Sequence, residues 1–520
     1  MNNKTQKLPK VNKGFKIKNV KKNWVFISII IVFLIVLSLR LIISFQTTNM
    51  NKSSYYHLDQ AKSILETGKP NMVNQLYDNS ALPATDYMLA FFGIFINLEL
   101  AAKILINLFM CLAIIIIYFI VFEITKDEKI SLFAGIFTAF IPLIFKNYIN
   151  NFNSIGISII IFLLTLLFFI KSMNNTRFIR HFIITLIILI ILTPLSAVFI
   201  AAFIIYFLIL NAEKIKIRAS EIEVFLFSLI LGGWIYIILY KNAILTKGLS
   251  FLLHSPIANL ITKTNFLFLS LIGIVPVILG IIGIYFNTIK KSNRQLIFIT
   301  SFIIINIIFI LFNIIDQEFS LIMISLGLIM SAGIALKEFK EFFNKSKNKI
   351  KILYKVLIIF IALLFIISSI IPSITNGLVN SYDILSAEDK IALEELKSNS
   401  DSEAIIMTDI EDTYLVNYFS DRNTILNYYN LNGKQKLKDV QQFFNLNINV
   451  PALRILTLYN VDYIFISSNT IQKMTNKTLQ KFNDPCYGKI YKNKAEVYKV
   501  LCTLKQEEKL NQELFEDKNE

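Results

Sequence analysis
Several side chains that can carry a proton stand close together before residue 100. His57 and Asp59 stand two positions apart, and Glu66, Asp78, Asp86 and Glu99 follow before residue 100. His254, Asp316 and Glu318 lie further on, again between apolar runs. Carboxylates and imidazoles are the groups that take up and release protons in general acid–base catalysis. Each also has a plain structural reading, as a solvated loop residue or as a first-turn carboxylate stabilised by a helix dipole. The sequence carries no Walker loop, no dinucleotide glycine fingerprint and no Ser/His/Asp arrangement. It has three cysteines and three histidines, and none is spaced as a zinc site.

The elements that must position these groups are membrane spans. Apolar residues make up 55% of the chain and mean hydropathy is +0.59. Runs such as 24–45, 155–170 and 357–371 approach or reach the ~20 residues that cross a ~30 Å hydrocarbon layer. A soluble protein built this way would expose large apolar patches. The pattern predicts roughly eleven crossings: 24–45, 100–124, 130–145, 155–170, two short helices in 182–210 broken at Thr193-Pro194, then 224–240, 266–286, 296–313, 321–336 and 356–371. The first run is too long for a signal peptide and lacks a small-residue cleavage site, so it reads as a retained span.

Net charge is +16, which raises the question of nucleic acid. The excess lies in the membrane part, about +20 before residue 380 against about −4 after it. Lysine and arginine crowd one alternating set of loops: 4–22, 171–180, 214–218, 290–294 and 337–355. Positive-inside bias explains this asymmetry, so no nucleic-acid partner is expected. The sequence therefore predicts a multi-pass protein of the cell membrane. It has a basic cytoplasmic arm (1–23), a transmembrane domain (24–375) with a long first outer loop (46–85), and an extracytoplasmic α/β domain (380–503).

Within the outer loop, 55–66 has helical spacing stopped by Gly68 and Pro70, and 87–97 is apolar but too short to span. In the C-terminal domain Ser386 reads as an N-cap. Runs 404–407 and 461–466 read as strands, and 487–491 with 496–501 as a hairpin. Cys486 and Cys502 sit on its two arms, where a cross-strand disulfide and two free thiols are both compatible with the spacing. The charged tail 504–520 is expected to be disordered or a frayed helix.

The order Ser53-Ser54-Tyr55-Tyr56-His57-Leu58-Asp59, a helix, then Gly68-Lys69-Pro70 and Tyr77-Asp78 resembles the GT-C superfamily of polyprenyl-phosphate-dependent membrane glycosyltransferases. The similarity is to its archaeal oligosaccharyltransferase-like branch. Further along, 134–142 resembles the family's small-residue third span ending in Pro, 152–156 its second outer loop, and Ala332-Gly333-Ile334 its later Ala-Gly-rich span. Segments 414–422 and 459–464 resemble its soluble domain. The resemblance implies a GT-C-like polytopic helical fold, a polyprenyl-phosphate-linked sugar as donor, and a protein or glycan acceptor outside the cell. It further implies a place in protein glycosylation or cell-envelope synthesis.

Departures from the family pattern are chemical. Ser53 stands where the family's first-loop Asp is expected, and Asn153 and Ile155 where oligosaccharyltransferases carry Asp and Glu. The Trp-Trp-Asp acceptor motif is absent near 408–413. A serine or an amide lacks a carboxylate's basicity and charge, so a divalent-metal mechanism is not expected. Asp59 is the first candidate base, with His57 in the same helix and Asp86, at the head of the interfacial segment, after it. Tyr55, Tyr56, Asp78 and Asn153 are the candidate substrate-binding residues. Two other readings share the scaffold: an inactive relative serving as an assembly partner for glycan enzymes, and a transporter of lipid-linked sugars. The near absence of charge within the spans counts against ion coupling.

Overall fold
The computed structural model describes residues 24–70, 83–247, 271–290, 293–312, 314–315, 317–344, 348–380, 385–427 and 433–502. Its first helix, α1 (Trp24–Phe45), buries only Ile29, Val36, Arg40, Ile43 and Ser44. That single stripe marks a helix at the edge of the bundle, with its other faces turned to lipid. At the centre lies α13 (Gln317–Asn344), with 89% of its apolar window buried.

Between them run α2 (Ser54–Thr67), α3 (Ala84–Gly93), α4 (Leu98–Thr125), α5 (Glu128–Ala139), α6 (Pro142–Tyr148) and α7 (Ser154–Ser172). Next come α8 (Ile179–Leu192), α9 (Ala197–Ala212), α10 (Ala219–Lys247), α11 (Ile274–Lys290) and α12 (Arg294–Leu311). Pro142 removes a backbone donor, and α5 and α6 meet at a 44° bend there. Thr193 is extended just before Pro194, so the break expected in 182–210 falls where Pro forbids helix. Tight helix contact depends on small residues: a Cβ on Gly280 of α11 would lie 2.7 Å from the Leu328 carbonyl oxygen, and one on Gly283 would fall on that of Ser331. The last span is α14 (Asn348–Phe365), a π turn over Ile366–Ile370, and α15 (Ile371–Asn380).

This is a multi-pass membrane protein, but the expected count of eleven spans is not reproduced. Among the described residues eight helices are long and apolar enough to cross, or nine if α5 and α6 form one broken span. The count of eleven also needs α8, of 14 residues, and α11, of 17. At 1.5 Å per residue α8 reaches only about 21 Å, and the start of the expected span 266–286 lies outside the described residues.

Beyond the spans, α16 (Ala387–Asn399) begins at Ser386, whose hydroxyl accepts from the Asp389 N–H at 3.0 Å. A five-stranded sheet follows in the order β2-β1-β3-β5-β4. Its strands are β1 (Ile405–Met407), β2 (Asn423–Thr424), β3 (Tyr463–Ile466), β4 (Tyr487–Lys492) and β5 (Glu496–Val500). β1 is parallel to β2 and β3, while β5 is antiparallel to β3 and β4. Alternation divides its faces. Met407, Ile464, Ile466 and Tyr498 pack with α17 (Gly433–Asn445) and α18 (Asn449–Leu458). Ile406, Phe465 and Val497 join α16 in a core continuous with the transmembrane helices. A disulfide joins Cys486 to Cys502 across the base of the β4–β5 hairpin.

Candidate active site
Every residue from Ser54 to Ala61 of α2 is buried. Such burial all round the helix arises because three bodies close on it: the transmembrane helices, the second loop and the C-terminal domain. Gly68 ends α2 with φ +75° and donates its N–H to the Ile64 carbonyl, a left-handed cap that glycine adopts without strain. After Pro83, α3 carries Asp86 in its first turn, where the helix dipole favours a carboxylate.

Packing of α3 on α2 brings Asp86 to His57, with Nδ1 and Oδ1 2.6 Å apart. Both are buried, 4% and 0% exposed. The carboxylate orients the ring through Nδ1, the nitrogen nearest to it. Phe152 of the second loop stands edge-on to the imidazole at 5.7 Å, and Tyr56 does so at 5.0 Å. A carboxylate-held, partly dehydrated imidazole is an arrangement suited to accepting a proton.

Asp59, two residues on, points to a different side of α2 and belongs to another group. Its Oδ2 has no hydrogen-bond partner among the described residues. Burial raises its pKa to about 7; Lys62 opposes the shift, and Asp421 and Glu66 add to it. The Lys62 ammonium pairs with Asp421, as does Lys397. Burial works against the Asp421 charge, but these two lysines outweigh it and hold the carboxyl below its usual range.

Tyr55 and Tyr56 are clasped by the C-terminal domain. Tyr55 packs against Tyr418 at 5.2 Å and Phe419 at 5.0 Å, and Tyr56 against Tyr414 at 5.2 Å. The Tyr55 hydroxyl also accepts from the Met50 N–H. Lys52 reaches Asp412 at 2.5 Å and the Ser467 hydroxyl at 3.2 Å. The first loop and the C-terminal domain therefore lie on one side of the membrane.

The second loop is stitched beneath α2. Ser53 donates to the Asn151 side chain at 2.8 Å, Ser54 accepts from the Phe152 N–H at 2.9 Å, and Asn51 N–H donates to the Asn150 carbonyl at 2.9 Å. Under these, buried Arg40 donates to Asn107 Oδ1 at 3.0 Å and the Tyr148 carbonyl at 3.1 Å. Lys103 donates to the carbonyls of Ser44, Thr47 and Thr48 at the end of α1. Sequence reasoning passed over Lys52, Asn150, Asn151 and Asp412; the run of asparagines between 147 and 153 was a trace of Asn150 and Asn151 alone.

Asn153 accepts from the Gly156 N–H at 2.7 Å and caps α7. Its oxygen is committed to the backbone, Ser53 is committed to Asn151, and Ile155 has no donor atom. These three positions do not fit a divalent metal. Among the described residues no group of three or more His, Cys, Asp or Glu is gathered as a metal site. Asp78 lies outside the described residues.

This architecture recurs in membrane glycosyltransferases. The archaeal oligosaccharyltransferase AglB from Archaeoglobus fulgidus, in complex with an inhibitory peptide and a dolichol-phosphate, superposes with a TM-score of 0.59 at 13% identity, covering 90% of this chain and 73% of that one. Another structure of the A. fulgidus enzyme, a complex with Zn and sulfate, gives 0.57 at 13% identity over 89% and 71%. ArnT from Cupriavidus metallidurans bound to undecaprenyl phosphate gives 0.54 at 12% identity, over 92% of this chain and 98% of that one. These are GT-C polyprenyl-phosphate-dependent transferases, and the fold of this chain is the GT-C fold. No protein-family model matches the sequence, and no curated protein does. At such identities the likeness resides in the fold alone.

Proposed function
We propose that this chain is a membrane glycosyltransferase moving a sugar from a polyprenyl-phosphate-linked donor to an extracytoplasmic protein or glycan. The observation that carries the reading is the His57–Asp86 pair, enclosed by α2, α3 and the second loop of a GT-C fold. The AglB and ArnT structures with dolichol-phosphate and undecaprenyl phosphate support the donor class. The bias of lysine and arginine among the loops supports a cytoplasmic N-terminus and an outer location for this site.

In the proposed reaction an acceptor hydroxyl or amide attacks C1 of the sugar. The C1–O bond to phosphate breaks, and the polyprenyl phosphate departs with its electron pair. The acceptor's proton passes to His57 Nε2, while Asp86 holds Nδ1–H and stabilises the imidazolium that forms. Asp59, with its pKa near 7, is a second group able to exchange a proton at neutral pH. Tyr55 and Tyr56 position α2 rather than line the donor.

A second reading, a binding partner without transferase activity, is favoured by the engagement of Ser53 and Asn153 in structural hydrogen bonds. One experiment separates the readings. The purified chain in lipid, given a polyprenyl-phosphate-linked sugar and a peptide or glycan acceptor, releases polyprenyl phosphate if it is a transferase. His57→Gln and Asp86→Asn strongly reduce that release while the protein stays folded. No release from the folded wild type under any donor tried overturns the transferase reading. Movement of label across vesicles without cleavage would instead identify a carrier.

A further inference from the structure
A cleft of 490 Å³ opens between α5, α13 and α14, and no residue of the candidate active site lines it. Its walls are apolar: Ile130, Phe133 and Phe137 from α5, Leu336 from α13, Ile361 and Phe365 from α14. Two lysines, Lys129 and Lys340, stand at one end. They meet there because α5 begins, α13 ends and α14 begins on the same side of the membrane. The wall from Ile358 to Ile370 runs about 18 Å along the helix, close to the ~15 Å depth of one leaflet.

The cleft has an inner stop and an open flank. Phe365 is 4% exposed and packs against Phe137 at 4.8 Å, next to the π turn that displaces the helix. Of the residues lining it, Ala362 is exposed and Ile366 is 47% exposed, so the cleft opens sideways to the bilayer. Lys340 gives one ammonium proton to Asp127 and keeps two. Lys129 is exposed and has no side-chain partner among the described residues. An ammonium has three donors and suits a phosphate as a point charge.

We propose that this cleft binds an anionic phospholipid of the adjacent leaflet, one acyl chain lying along Ile358–Ile370 and the phosphate meeting Lys129 and Lys340. Charge complementarity at the mouth selects the headgroup, and the one-leaflet length selects a phospholipid chain over a longer isoprenoid. The site is separate from catalysis, so its test is independent of transferase activity.

The full-length chain in detergent is titrated with phosphatidylglycerol, phosphatidylcholine, inorganic phosphate and undecaprenyl phosphate, with binding followed by native mass spectrometry and thermal shift. Phosphatidylglycerol is expected to bind and raise the melting temperature with concentration. Phosphatidylcholine and phosphate are expected to do neither. Lys129→Gln should weaken phosphatidylglycerol about fivefold, as one cation near an anionic lipid implies. Ala362→Trp, which fills the cleft from an exposed position, should remove binding without changing the lipid-free melting temperature. Should that variant fail to fold, Lys129→Gln on its exposed side chain carries the test alone. Equal binding of the two phospholipids, an equal shift by phosphate alone, displacement of phosphatidylglycerol by undecaprenyl phosphate at lower concentration, or an undiminished affinity in Lys129→Gln would each overturn the proposal.

Discussion

Replacing Asp59 by Asn should make the protein more stable at alkaline pH and leave it unchanged in acid. In the unfolded chain this carboxyl titrates at 3.8, and burial lifts it to about 7 in the fold. Between those values the folded protein holds a proton that the unfolded chain has released, so stability falls as pH rises. Above about pH 7 the whole penalty is present, because the fold must keep a buried carboxylate whose Oδ2 has no partner among the described residues. A shift of this size corresponds to about 4 kcal/mol as an upper bound, since water entering the site reduces it. Asn keeps the shape and removes the charge. Its amide adds a small cost of its own, independent of pH, which displaces the curve without altering its slope. Chemical denaturation of both proteins in detergent, from about pH 4 to pH 9, reads the difference directly. It should be near zero in acid and grow to several kcal/mol in favour of the variant. A difference that stays flat across that range, or a wild type that gains on the variant as pH rises, would refute the argument from burial.

His57→Gln should cut turnover by about 10²–10⁴-fold, the usual contribution of a general base, while Asp59→Asn should retain more activity than Asp86→Asn in the release assay. Lys52→Met strands Asp412, 1% exposed at its side chain, and should cost about 3 kcal/mol; faster proteolytic separation of the C-terminal domain checks this. Gly283→Val forces a side chain onto the Ser331 carbonyl and should destabilise by at least about 1–3 kcal/mol, measured as a lower melting temperature in detergent. Cys486→Ser opens a bridge of 16 residues' separation and should cost about 3 kcal/mol in unfolding of the α/β domain.

Parts of the molecule with a local cause were legible in the sequence. Trp24–Phe45 is a long, mostly apolar run and became α1 with those ends. Gly68, Thr193-Pro194 and Ser386 act through their own backbone or side chain, and each ends, breaks or starts a helix as expected. The number of spans was less legible, because α8 is apolar enough to suggest a crossing yet has only 14 residues. The contacts of the site left little trace. Tyr55 and Tyr56 sit in no periodic pattern with Tyr414, Tyr418 and Phe419, and a clasp across that much sequence has no spacing rule. The capping of α7 by Asn153 is a role available to any Asn before a helix, and a sequence reading directed at the family's second loop passes over it. His57 and Asp86 were singled out individually. Their pairing depended on how α2 docks on α3, which is a matter of tertiary packing.

Lys52 and Asp412 are 360 positions apart in the chain. A ribosome working at about 5–20 residues per second needs about 20–70 s to cover that distance. Throughout that interval the first loop has emerged with its tyrosine pair uncovered, because the aromatic residues that clasp it have not yet been made. The covering of α2 is thus completed last, and a nascent chain stalled before residue 412 would hold all its early spans in the bilayer with an unfinished α2. Truncations ending short of the sheet are therefore expected to insert normally and to expose the 54–61 segment to protease.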